Sequence, residues 1–90
     1  MINTTERDTL RALADEGNEL ALDRLADLAD HDNNLEELSA LLDEGSMRAG
    51  RRLTDRAVAK RDLLELQRIS DAGYDAATVE LNALLADPAS

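Results

Sequence analysis

The single histidine, His31, lies in Asp30-His31-Asp32-Asn33-Asn34, where metal-ligating side chains crowd together. An imidazole between two carboxylates is donor chemistry for a divalent cation. The alternation Asp30-x-Asp32-x-Asn34 is also how a calcium loop opens. That loop needs a glycine at its sixth position and an acid at its twelfth. Here those places hold Leu35 and Leu41, so the calcium reading fails. With no cysteine and no second histidine, His31 reads as a solvated loop residue flanked by acids, and no metal or cofactor is expected.

Carboxylate pairs are frequent: Asp15/Glu16, Asp43/Glu44 and Asp23/Asp27. General acid–base work needs a carboxyl in a cleft that shifts its pKa. These pairs fall where helix ends and outer faces are expected. No nucleophile has a base nearby in sequence, and no glycine-rich loop is present to cradle phosphate. The residues therefore point away from catalysis.

The cations are distributed unevenly. The chain carries 20 acids and 10 bases, net −10. Residues 6–33 hold 9 acids and 3 bases, and residues 62–89 hold 6 acids and 1 base. Residues 34–61 hold 5 acids and 6 bases: Arg48, Arg51, Arg52, Arg56, Lys60 and Arg61. At about 100° per residue, Arg48, Arg52, Arg56 and Lys60 form a stripe turned away from Leu53 and Ala57. The candidate partner-binding residues are thus Arg48, Arg51, Arg52 and Arg56. Two readings stay open: they dock an acidic partner, or they pair with the acidic segments on either side. The second is favoured, because acids flank the stripe in sequence.

What must position these residues is a repeat. Gly17, Gly45 and Gly73 stand 28 residues apart. Ala21, Ala49 and Ala77 keep the same interval, as do Leu25, Leu53 and Leu81. So do Leu10, Leu38 and Leu66, and Asp15, Asp43 and Asp71. A fixed period of this length marks a stacked repeat architecture. The units are 6–33, 34–61 and 62–89, within one domain spanning 1–90.

Each unit divides at its glycine. Asn34 with Glu37, and Asp62 with Glu65, predict capping boxes. Asn3 or Thr5 is the candidate cap of the first helix. The first helices then run to Glu16, Glu44 and Ala72, and each meets a glycine suited to a left-handed closing residue. Asn18 and Ser46 cap the second helices. Asp75, rather than Tyr74, is expected to cap the third of these. The second helices are predicted over 19–30, 47–60 and 76–86. Apolar residues recur at helical spacing throughout, as in Leu38/Leu41/Leu42 and Ala21/Leu25/Leu28. The expectation is an all-α fold: three tandem helical hairpins, six helices, stacked as a short α-solenoid.

The pattern Leu10-Arg11-Ala12-Leu13-Ala14-Asp15-Glu16-Gly17, followed by Ala21 and Leu25, resembles the tetratricopeptide-like superfamily of α-solenoid repeats. Its form L-x-x-L-A-D-x-G-x-x-x-A-x-x-x-L is most similar to short-repeat arrays of actinobacterial type. The likeness spans residues 6–87. The unit is shorter than the roughly 34 residues of the tetratricopeptide motif, whose Trp, paired Tyr and closing Pro are absent here. No peptide-clamp residue carries over. The resemblance implies a binding scaffold and nothing finer; separately, nine arginines against the single lysine Lys60, with abundant Ala, Leu and Asp, look like the composition of a high-GC bacterial genome.

The expected function is a non-enzymatic protein–protein interaction scaffold. Its groove would be lined by the first helix of each hairpin and would hold Arg11, Glu36, Glu37, Ser39, Ala40, Gln67 and Arg68. One alternative is a structural homo-oligomer, a homodimer for example, formed through the last helix, where Val79, Leu81, Leu84 and Leu85 have no further repeat to cover them. A weaker alternative is nucleic-acid binding by the arginine-rich helix 47–60. Net acidity and a lone aromatic, Tyr74, weigh against it. The polar N-terminus lacks the features of a signal peptide, and no apolar run reaches a membrane span. A soluble, cytoplasmic protein with an unidentified protein partner is expected.

Overall fold

The computed structural model describes residues 4–87, with side chains from Glu6 onward. Six helices follow one another: α1 Thr4–Asp15, α2 Glu19–His31, α3 Leu35–Asp43, α4 Met47–Lys60, α5 Leu63–Asp71 and α6 Asp75–Ala86. No strand occurs among the described residues. Successive pairs form hairpins that stack into a body of 48 × 25 × 16 Å.

The turns explain the register. Gly17, Gly45 and Gly73 have φ of +95°, +103° and +104°. In each case the glycine N–H and the next N–H return to the helix just ended. Gly45 donates to Leu42 O at 2.9 Å and Ser46 to Leu41 O at 2.9 Å. This is a Schellman closure, which a residue with a Cβ resists. The residue after the glycine then caps the next helix: Asn18 Oδ1 accepts from Ala21 N at 3.0 Å, and Ser46 Oγ from Ala49 N at 3.0 Å.

The turns between hairpins use the same device without glycine. Asn33 and Arg61 adopt φ of +56° and +52°. Asn34 N donates to Ala29 O at 2.8 Å and Asp62 N to Ala57 O at 2.9 Å. This corrects the capping-box expectation. The Asn34 and Asp62 side chains do cap Glu37 N and Glu65 N. Their own N–H groups, however, are used to close the preceding helix, so the return bond does not go to them. Glu37 bonds back to Asn34 through the side chain, accepting from its Nδ2 at 3.2 Å, and also holds Arg7, while Glu65 holds Arg68.

Three further expectations change. Tyr74, not Asp75, occupies the cap position of α6, with extended backbone and no side-chain cap bond. The turn leaves one residue between Gly73 and the helix, as at Asn18 and Ser46. Thr5 lies inside α1 rather than ahead of it, and Asn3 lies outside the described residues. The first helices of the hairpins stop at Asp15, Asp43 and Asp71, one residue before the expected ends, because the next residue already serves the closure.

The core is aliphatic. Ala21, Ala49 and Ala77 are buried, as are Leu25, Leu53, Leu81, Leu38 and Leu66. Helices α2, α4 and α6 pack on one another in sequence, α2 against α4 and α4 against α6. Helices α1, α3 and α5 each pack on their hairpin partner, but their backbones do not meet. The second helices therefore form a continuous spine, and the first helices stand apart along one side with gaps between them.

The fourth glycine falls outside the 28-residue register. Gly50 is buried in α4, and a Cβ there would meet Tyr74 Cδ1 at 2.5 Å and Cγ at 2.7 Å. The only aromatic ring of the chain thus lies on bare α4 backbone, joining the second hairpin to the third.

Candidate functional site

The two gaps between first helices have different contents. Arg7 spans the gap between α1 and α3. It donates from Nη1 to Glu37 Oε1 at 2.8 Å and from Nη2 to Asp32 Oδ2 at 2.8 Å. Arg11 reaches across the same gap to Glu44 and also pairs with Asp15 at 3.1 Å. Shifted by one repeat, Arg7 corresponds to Leu35 and Arg11 to Ser39. The second gap, between α3 and α5, therefore lacks both long side chains. It opens as a groove of about 530 Å³.

The floor of that groove is apolar. Leu53 and Ala57 of α4 lie at its base, with Leu35 and Ala40 of α3 on one wall. Its rim carries Glu36, Asp43, Asp62 and Glu65 against Arg56, Lys60 and Arg68. Two of the three cations are already held: Arg56 by Asp30, and Arg68 by Glu65. Arg68 also donates to Ser39 Oγ at 2.9 Å, a side-chain link across the gap. The remaining charge on the α3 wall, Glu36 and Asp43, is negative.

Of the residues expected along the groove, Glu36, Ser39, Ala40 and Arg68 line it. Arg11 and Glu37 belong to the first, bridged gap. Gln67 turns to Asp71, donating at 2.9 Å. Leu35, Lys60 and the α4 floor were not anticipated. Their positions depend on how far apart α3 and α5 stand, which no residue pattern encodes.

The arginines of α4 face the preceding hairpin. Arg48 Nη1 lies 2.9 Å from Asp27 Oδ2, and Arg52 Nη2 lies 3.2 Å from Asp27 Oδ1. Arg56 Nε donates to Asp30 Oδ1 at 2.8 Å. Its Nη2 reaches the Asp30 carbonyl at 2.8 Å and Asn33 Oδ1 at 2.9 Å. A cation at the end of α2 also complements the helix dipole. Arg51 is 77% exposed in its side chain and meets only Asp55, at 4.0 Å.

The Arg11 guanidinium is raised above its ordinary value, first by its hydrogen bond to Glu44. That of Arg68 is raised first by its hydrogen bond to Glu65. A base with a raised folded pKa contributes stability that is fully present below its unfolded value and lost only as pH rises through the folded one. Both guanidiniums therefore stay charged through the neutral range. Their side chains are 42% and 46% exposed, so solvent screens them and their net worth is small.

No family model, curated protein or solved structure matches this chain. The site is accordingly read from its geometry. His31 ends α2 exposed, and no group of three or more His, Cys, Asp or Glu is arranged to hold a metal among the described residues. No helix among them is long and apolar enough to cross a membrane.

Proposed function

We propose that the protein is a non-enzymatic, tetratricopeptide-like interaction scaffold that seats a segment of a partner protein in the groove between α3 and α5. The observation that carries this reading is the difference between two equivalent gaps in one chain. Stacking tolerates arginines at the positions of Arg7 and Arg11. The second gap has Leu35 and Ser39 there and stays open over Leu53 and Ala57. A concave site with an apolar floor and polar groups at its edge is a usual form of binding site.

The rim favours a segment with apolar side chains at its centre and basic residues at its flanks. Apolar groups would cover Leu53, Ala57 and Ala40, and cations would meet Glu36 and Asp43. A net charge of −10 would steer such a segment inward. Arg48, Arg52 and Arg56 are engaged by Asp27 and Asp30, which weighs against their docking an acidic partner or nucleic acid. Arg51 alone of the four remains for that role. The bacterial and cytoplasmic setting belongs to this proposal and rests on composition and on the resemblance.

The test closes the groove with the chain's own chemistry. The double variant Leu35→Arg/Ser39→Arg installs in the second gap the residue types of the first. Leu35 is 42% exposed, so the fold should persist, as circular dichroism would show. A partner captured by the wild-type protein from host extract, then purified, should bind the variant at least about tenfold more weakly. Its affinity should also fall with added salt. Undiminished binding to a folded double variant would refute the groove as the site.

A further inference from the structure

The third hairpin ends in a face that the first two hairpins use for stacking. In the repeat register, Ala26, Thr54 and Asn82 are equivalent, as are Ala29, Ala57 and Leu85. Ala26 and Ala29 are each 0% exposed because the second hairpin covers them; Thr54 and Ala57 are 4% and 2% exposed. Asn82 is exposed, and Leu85 is 62% exposed. Val79, on the same side of α6, is 67% exposed. Among the described residues, that side of α6 exposes Val79, Ala83, Leu85 and Ala86.

We infer that this face pairs with the same face of a second copy, α6 against α6, across a two-fold axis. Charge decides the occupant. Where α2 receives the second hairpin, Asp27 and Asp30 grip Arg48, Arg52 and Arg56. The equivalents of those two acids on α6 are Ala83 and Ala86. A head-to-tail copy would bring Arg24, the equivalent of Arg52, onto Ala83 and Ala86, two turns or more from Asp75. Two copies of the α6 face meet without placing an arginine there. They also meet without like-charge opposition, which other surfaces of a chain with net charge −10 invite. The one charge on that side, Asp75, lies in the first turn of α6. In an antiparallel pairing centred near Asn82, the two Asp75 residues stand about 20 Å apart, well beyond a screening length of about 8 Å. The contact is isologous and closes at two subunits.

Two measurements test this. Sedimentation equilibrium of the full chain should give twice the 9.8 kDa chain mass, with reversible dissociation on dilution. Leu85→Glu should weaken the dimer at least about tenfold, and its circular dichroism should match the wild type. The second measurement does not depend on that variant folding. The chain has no cysteine, so Asn82→Cys provides a single thiol near the proposed axis. Mild oxidation should yield a covalent dimer, whereas Leu20→Cys, on the opposite hairpin, should not. A monomer into the millimolar range would overturn the inference. So would a dimer indifferent to Leu85→Glu, or a series of growing oligomers broken by Leu20→Glu, which would mean head-to-tail stacking.

Discussion

Gly50→Ala sets two opposed effects against each other with one methyl group. In a helix interior the change ordinarily stabilises by about 1 kcal/mol, through backbone entropy and propensity. At Gly50 the new Cβ would fall 2.5 and 2.7 Å from Tyr74 Cδ1 and Cγ. Those are the inner atoms of the ring, tied closely to the backbone at the α6 cap, so the ring cannot swing clear by moving only its tip. Leu42 Cδ1, at 3.1 Å, is a flexible end and can yield. Overpacking of this kind costs about 1–3 kcal/mol. The net expectation is a loss of about 1 kcal/mol, or a melting temperature lower by about 4–8 °C for a domain of this size. The decisive assay is a double-mutant cycle with Tyr74→Ala, read by urea denaturation and far-UV circular dichroism. Without the ring, the same Gly50→Ala change should stabilise by about 1 kcal/mol. A reversal of sign is the signature. If Gly50→Ala stabilises the protein with Tyr74 intact, the ring does not pack on Gly50 and the account of the second hairpin junction is wrong.

Gly45→Val should cost more than an ordinary surface change, about 1–3 kcal/mol, because a β-branched residue must hold a φ near +103°; an unchanged melting temperature would refute the closure described for that turn. Changing Arg48, Arg52 and Arg56 together to Glu takes the net charge from −10 to −16 and places carboxylates against Asp27 and Asp30. Stability should fall, and more steeply at low salt than at high salt. A triple variant as stable as the wild type at low salt would show that these pairs do not hold the first two hairpins together.

Most of the helical architecture was legible before any coordinates. The helices, their glycine closures and the caps Asn18, Asn34, Ser46 and Asp62 all depend on residues within a few positions of one another. Such preferences act through local backbone geometry and recur with the 28-residue unit. The cap of α6, at Tyr74 rather than Asp75, departs from expectation for an instructive reason. Local propensity favours Asp75, but the turn after Gly73 has the same length as those after Gly17 and Gly45, and that length sets the helix start.

The candidate site was legible only in part. Glu36, Ser39, Ala40 and Arg68 could be placed on an outward face by periodicity. That the gap above Leu53 stays open while its counterpart is spanned by Arg7 and Arg11 could not. Arg7, half-buried between Asp32 and Glu37, has no local mark, because both partners come from distant positions in the chain. Gly50 was equally silent, since its reason for being glycine is a ring 24 positions away.

The sequence by itself determined the helical period, the turns and the burial of one face per helix, since each follows from contacts within a turn or two of the chain. Tertiary structure decided which aspartate each arginine of α4 holds, which inter-helix gap remains open and which face of α6 is left bare. These depend on distances between hairpins, and those distances are fixed by the packing of side chains far apart in the chain.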